Sequence, residues 1–403
     1  MRIGLDRLRE DPTITGALGR ELGRRRVGLL AHPASVDRRL VHVSGVLADL
    51  GIKPRIIFGP EHGYGGEAQY MVGVADAVDP ITSAPIISLY GDRFEDLSPK
   101  PEHLAEIDVL LVDLADVGSR YYTFVWTALL AARNAARAGV ETVVLDRPNP
   151  LGGGAFEGRV QAEGFFSFVG LEAVPVRHGL TPGEIVALFA HRDGLAVGKG
   201  GAVRIVSVEG WDRESLAPAW DRPFVMTSPN MPTFDTALVY PGGCLLEGTN
   251  LSEGRGTTRP FEIVGAPYLD GARLAAALAE SGLPGLTARP ITFEPTFQKH
   301  AGAICGGVQI HVTDAASFRS YATYLTLCAV ARRQAPDAFV FRTDAYEYVD
   351  DIPAFDLLTG DAEARVAIEA GVPPRDWVDE IARPPADWAE VVREASALVA
   401  RGT

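Results

Sequence analysis

Glu61 stands in the run GPEHGYGG, between Gly59-Pro60 and His62-Gly63, at the end of a short apolar segment. Glycines on either side let a ligand approach the backbone closely. A carboxyl group packed there can hold a raised pKa and give a proton as a general acid; capping a helix or pairing with an arginine is the structural alternative. His62 suits an orienting hydrogen bond better than service as a nucleophile's base. In DLADVGSRYYT, Asp113 and Asp116 follow a buried run. One of them can cap the next helix, while the other positions a substrate hydroxyl or acts as the second acid–base group. Arg120 offers a planar fork to a carboxylate or phosphate, unless it pairs with Asp116. Tyr121 and Tyr122 can stack on a sugar ring or fill half of a core. DRPNP adds Asp146, Arg147 and Asn149, with an internal Asp146–Arg147 salt bridge as the structural alternative. In residues 228–262, Glu247, Asn250, Glu253, Arg255 and Arg259 lie among glycines and threonines. Two carboxylates six residues apart, with Arg and Asn close by, suit a pocket for a polyhydroxylated or anionic ligand. The amides of SEGRGTT can also form an anion nest. His178, in VRHGLTPGE, precedes a helix start and either faces the same crevice or packs as a cap.

These residues follow strands. Apolar, β-branched runs at Val27–Ala31 and at residues 55–58, 86–89, 109–114 and 142–145 alternate with helical spacing, as in residues 40–50 and 122–138. Such alternation indicates a parallel sheet covered on both faces, a Rossmann-like doubly wound α/β domain. Ligands of such sheets bind outside the carboxyl ends of the strands, so five loaded loops converge on one edge. After Pro148 the pattern loosens. Thr181 is expected to cap a helix beginning at Pro182, and residues 224–260 to form a long irregular, functional segment. ICGGVQIHVTD and residues 321–333 read as a strand and helix of a smaller α/β (α+β) C-terminal domain. The expected division is a catalytic domain over 1–258 and a smaller domain over 259–403 that closes the cleft.

The 403 residues carry 38 Lys+Arg against 52 Asp+Glu, a net charge of −14. That balance excludes general nucleic-acid binding, which needs a basic face, but not a small anion met by one or two arginines. Three scattered cysteines, Cys244, Cys305 and Cys328, do not make a disulfide framework or zinc cluster and are expected to be buried. No apolar run reaches membrane-spanning length and MRIGLDRLREDP has no signal-peptide core. As written, the chain is expected to be cytoplasmic, or exported if it is a trimmed piece. GxxxxGK[ST], GxSxG, HExxH and CxxC are all absent, and GGGAFEG opens no clear helix. No metal or nucleotide cofactor is therefore expected, and the composition leaves the oligomeric state open.

At GPEHGYGG the chain begins to resemble a known family. The likeness continues through DVLLVDLADVGSRYYTFVWTAL, VVLDRPNPLGG, FVGLEAVPVRHGLTPGE, SPNMPT, ALVYPGGCLLEGTNLSEGRGTTRPFEIVGAP and GVQIHVTD. These blocks, in order over roughly residues 25–400, are similar to the bacterial exo-β-N-acetylmuramidases, formerly a domain of unknown function. The resemblance implies a Rossmann-like domain, a smaller C-terminal domain and a cleft between them. It implies removal of N-acetylmuramic acid from the non-reducing end of peptidoglycan fragments, and hence cell-wall recycling. Carried over residue by residue, it makes Glu61 the leading catalytic carboxylate; Asp116, Glu247 or Glu253 is the candidate second group, unless the sugar's own amide serves as nucleophile. His62, Arg120, Tyr121, Tyr122, Asp146, Asn149, His178, Asn230, Asn250, Glu253 and Arg255 become pocket residues, the two arginines meeting the lactyl carboxylate. Two positions depart from the family pattern. Gly65 follows Tyr64 where the family commonly has Arg, and Ala115 precedes Asp116 where Gln is common. The rival readings are a non-catalytic muropeptide-binding protein and a metal-dependent hydrolase using His62, Asp113, Asp116 and Asp146.

Overall fold

The computed structural model describes residues 1–66 and 77–401. Its principal sheet comprises β1 Val27–Ala31, β2 Pro54–Gly59, β3 Ala77–Val78, β4 Pro85–Ser88, β5 Val109–Asp113, β6 Glu141–Leu145 and β7 Val203–Val206. The spatial order is β3-β4-β2-β1-β5-β6-β7. Every pairing is parallel except β3 with β4. Leaving out β3, this is the doubly wound order, with the reversal of direction between β1 and β5.

Side chains alternate between the two faces of each strand, and both faces are covered. Leu29, Ile57, Leu111 and Val143 pack with Ile3, Leu5 and Leu8, and with Val43, Val46 and Leu47 of the helix Val43–Asp49. The N-terminus thus spends its few apolar residues on a core. Leu30, Phe58, Leu110, Val112 and Val144 face the helices Phe124–Arg137 and Pro182–Arg192. Thr181 caps the second of these in a capping box. Its hydroxyl accepts from the Glu184 N–H at 3.1 Å, and the Glu184 carboxylate accepts from the Thr181 N–H at 2.9 Å.

A smaller antiparallel sheet follows, of β8 Ile263–Ala266, β9 Leu286–Phe293 and β10 Cys305–Val312 in the order β8-β10-β9. The helices Gly271–Glu280 and Ser320–Gln334 pack with it in the same apolar core. The last helix, Trp388–Arg401, returns to the helix Pro182–Arg192 beside the principal sheet, and the Trp388 indole donates to the His178 carbonyl at 2.8 Å. The three cysteines are buried free thiols.

The stretch expected to be irregular contains a buried helix, Phe234–Gly243, with Pro241 inside it. Proline removes a helical N–H and displaces the preceding turn, and Ser320 repairs the break. Its hydroxyl accepts from the Gly242 N–H at 2.9 Å and donates to the Val239 carbonyl at 2.8 Å. The closeness needs glycine: a Cβ at Gly242 would sit 2.2 Å from the Ser320 carbonyl oxygen. Tertiary packing outweighs local propensity here.

Candidate active site

A pocket opens beside the carboxyl ends of β2 and β5. Glu61 reaches it from a tight turn after β2, in which the Gly63 N–H donates to the Pro60 carbonyl at 2.9 Å. The turn places His62 at φ 69°. The Thr123 hydroxyl donates to Glu61 Oε2 at 2.7 Å, and His62 Nε2 lies 4.0 Å from Oε1. Glu247 enters from the short helical turn Cys244–Gly248. Its Oε1 accepts from Arg255 and its Oε2 from the Tyr346 hydroxyl, each at 2.8 Å. The other arm of Arg255 reaches Glu253 at 3.1 Å, and Glu253 also binds Lys299 at 3.0 Å. A third pocket carboxyl, Glu347, comes from the distant segment after Phe341. The walls are aromatic and neutral-polar: Tyr121, Tyr122, Phe124, Tyr240 and Phe261, with Ser228 and Asn230.

The electrostatics sort these groups. Burial, followed by repulsion from Glu61 and Glu247, pushes the Glu347 carboxyl well above the usual range. Burial also opposes ionisation of Glu253, but Lys299 and Arg255 together outweigh it and hold that carboxyl below its ordinary value. The Tyr90 phenol is raised by burial and then by Glu61 and Glu347. The backbone is strained at the same place. His62, Phe261, Glu347 and Tyr348 all take left-handed φ values of 46–69°, which for such side chains cost on the order of 1–3 kcal/mol each and persist where function requires them.

Of the residues expected at the site, the pocket brings together Glu61, His62, Tyr121, Tyr122, Asn230, Glu247 and Arg255. Glu253 stands behind Arg255. The others lie elsewhere, for identifiable reasons. Arg120 is buried, with its guanidinium on the carbonyls of Arg159 at 2.8 Å, Val174 at 3.1 Å and Leu358 at 2.6 Å, so its fork is spent on main chain. Asp146 accepts from the Gly183 N–H at 2.7 Å and the Thr181 hydroxyl at 2.9 Å, a cap reaching from β6 to the next helix. Arg147 pairs not with Asp146 but with Asp113, through two contacts at 2.5 and 2.8 Å. Asn149 bridges the Leu151 N–H at 2.9 Å and the Leu180 carbonyl at 3.0 Å, with Gly118 so close that a Cβ would meet its side chain at 2.2 Å. Asn250 donates to the Ala338 carbonyl at 2.8 Å. His178 accepts from the Leu180 N–H at 3.1 Å, burial drives its pKa down to about 3, and its Nε2 lies 3.7 Å from Asp116. Asp116 accepts from the Gly118 N–H at 2.6 Å, and burial pushes its pKa up to about 7.

Asp116 borders a separate crevice at the point where the sheet reverses, with Ala34, Val36, Arg147, Trp220, Arg222, Phe224 and Thr227. The Asp113–Arg147 pair and the segment Trp220–Thr227 stand where a doubly wound sheet would seat a dinucleotide. Among the described residues no group of three or more His, Cys, Asp or Glu side chains is placed to hold a metal ion. None of their helices is long and apolar enough to cross a membrane. Glu347 and Tyr346 escaped the sequence reading; the one signal was the Tyr-Glu-Tyr triplet in FRTDAYEYVDD.

The sequence matches the family described as exo-beta-N-acetylmuramidase NamZ, its N-terminal part over residues 27–235 and its C-terminal part over residues 238–396. The chain belongs to the exo-β-N-acetylmuramidase family. Like the family, it is a glycosidase. The peptidoglycan beta-N-acetylmuramidase NamZ of Bacillus subtilis (strain 168) is 39% identical over 353 residues, 87% of this chain and 82% of that protein. A crystal structure of a DUF1343 family protein from Bacteroides fragilis superposes with a TM-score of 0.83 at 28% identity, covering 98% of both chains. A second Bacteroides fragilis DUF1343 protein shares the fold, with a TM-score of 0.74 at 22% identity over 100% of this chain and 99% of that one.

Proposed function

We propose that this exo-β-N-acetylmuramidase removes terminal N-acetylmuramic acid from the non-reducing end of peptidoglycan fragments at the Glu61 pocket. The observation that carries the reading is the convergence of three glutamates, from three separate parts of the chain, on one aromatic-walled pocket. Glycosidases work with paired carboxyl groups about the scissile bond. Glu247 is held by a cation and a phenol, whereas among the described residues Glu61 is held by a hydroxyl and by its neighbour His62. Glu61 is therefore the carboxylate with freedom to act at the anomeric carbon. Because both terminal nitrogens of Arg255 are engaged by Glu247 and Glu253, the neutral donors of Ser228, Asn230 and Tyr121 share the recognition of the sugar's amide and lactyl carboxylate.

The test is product analysis on a muramoyl-glucosamine disaccharide, with the anomer read early by NMR. The wild type releases both sugars, and Glu61→Gln loses at least about 100-fold in turnover, the scale of a lost acid–base group. Near-wild-type turnover by Glu61→Gln removes that residue from the chemistry. Cleavage of the corresponding glucosaminide but not the muramide removes the substrate assignment. A saturable calorimetric signal without product makes the chain a sugar-binding protein instead.

A further inference from the structure

We infer that Glu347, rather than Glu61, protonates the leaving oxygen, and that the turn Tyr346–Val349 exists to aim it. The inference rests on the glycosidase reading and assigns the acid within it.

The first argument is a charge count. Among the described residues four carboxyl groups, those of Glu61, Glu247, Glu253 and Glu347, lie in or against one small pocket. Arg255 pairs with Glu247 and Glu253, and Lys299 pairs again with Glu253. Glu61 has the Thr123 hydroxyl and His62 beside it. Glu347 is only 4% exposed. Its hydrogen bond comes from the neutral Tyr90 phenol at 3.4 Å, and no ion pair reaches it from the described residues. Like charges at short range in a poorly solvated site cannot all ionise, so the proton rests on the least compensated carboxyl. Among the described residues the titratable and charged groups around Glu347 are Glu61 and His62 after β2, Tyr90 after β4, and Glu247 and Arg255 from the middle segment. Arg342, Tyr346 and Tyr348 face it from its own segment. Burial and the two facing glutamates oppose its ionisation, and Tyr90 and Arg342 relieve this in part.

The second argument is the backbone. Tyr346 and Val349 close a two-residue turn by mutual N–H to carbonyl bonds at 2.8 and 3.0 Å. Its central residues, Glu347 and Tyr348, have φ of 46° and 69°. Turns with two left-handed residues are normally built from Gly, Asn or Asp. Here a glutamate and a tyrosine bear the strain, and both flanking phenols are tied to the protein: Tyr346 to Glu247 at 2.8 Å and Tyr348 to the Gly91 carbonyl at 2.9 Å. A strained turn fixed by both tyrosines holds Glu347 in the pocket lining, beside Tyr346.

In the step this arrangement performs, the bond from the anomeric carbon to the leaving oxygen breaks. The leaving oxygen keeps the electron pair, takes the proton of Glu347 and departs as an alcohol. Water bonds to the anomeric carbon and passes its proton to the Glu61 carboxylate, and exchange with solvent restores both groups.

The experiment compares two substrates, the muramoyl-glucosamine disaccharide and a 4-nitrophenyl muramide whose acidic phenol departs without protonation. Glu347→Gln is expected to lose at least about 100-fold on the disaccharide, the scale of a lost acid–base group, to keep aryl muramide turnover within about tenfold, and to lose the alkaline limb of its kcat/KM profile. Equal loss on both substrates, or retained disaccharide turnover, overturns the assignment. Should Glu347→Gln fail to fold, Tyr90→Phe reads the same group: removing a donor to the ionised carboxyl moves the wild-type alkaline limb upward, and an unmoved limb overturns the inference. If the wild type cleaves neither substrate, the glycosidase reading itself falls.

Discussion

Replacing Arg120 by methionine separates a structural clamp from a substrate anchor. The guanidinium lies in a fully buried position and donates to main-chain carbonyls from three stretches, at Arg159, Val174 and Leu358. Methionine fills much of the volume but leaves three buried carbonyls without a donor, at about 1–3 kcal/mol each. Allowing for relaxation, the loss should be about 4 kcal/mol, a large share of the 5–15 kcal/mol by which domains are typically stable. With a urea m value of about 3 kcal/mol/M, the unfolding midpoint falls by about 1 M. Tryptophan fluorescence is a local probe, since the Trp126 indole donates to the Arg120 carbonyl at 2.7 Å. Among variant molecules that remain folded at low urea, KM for the muramide should be unchanged. A midpoint within about 0.3 M of wild type together with a tenfold higher KM refutes the clamp, because that pattern belongs to a fork holding the substrate's carboxylate.

Two further predictions concern stability. The Asp116 carboxyl has its pKa raised by burial from 3.8 to about 7, so the folded chain binds a proton there that the unfolded chain has released. The stability it supports is complete below pH 4 or so, declines as pH rises towards 7, and totals about 4 kcal/mol across that window. Asp116→Asn should remove this slope, read as the difference between wild-type and variant urea midpoints from pH 4 to 8; parallel profiles would show that Asp116 titrates normally. Ser320→Ala should cost about 2 kcal/mol, because it strands the Gly242 N–H and the Val239 carbonyl beside Pro241. An unchanged midpoint would mean that the helix does not depend on that hydroxyl.

How far the sequence could be read depends on the range of each interaction. β1 and β5 are buried on both faces, so their continuous apolar runs announce a parallel sheet without knowledge of any partner. Glu61 is legible for a similar local reason, its glycine-rich turn. Arg120 is not, because its acceptors lie up to 238 residues away in sequence and a carbonyl carries no side-chain signature. Asp146 and Arg147, adjacent in DRPNP, look like a pair, yet successive side chains at a strand end point apart. One caps a helix and the other meets Asp113. Glu347 is hidden because left-handed φ at Glu and Tyr contradicts their propensities; only the doubled tyrosine hints at a residue being held.

The segment Trp220–Thr227 joins the crevice at the sheet reversal to the pocket. In a dinucleotide-binding sheet, whatever lies at the reversal between β1 and β5 comes and goes with the cofactor. Here the chain's own segment lines that crevice, and it runs on into Ser228, Asn230 and Met231 of the pocket wall. His32 at the end of β1 joins the Thr227 carbonyl at 3.3 Å, and the Tyr122 hydroxyl meets the Thr227 hydroxyl at 2.5 Å. The wall of the proposed sugar pocket is thereby braced against the sheet, and its alignment is inherited from the strands beneath it.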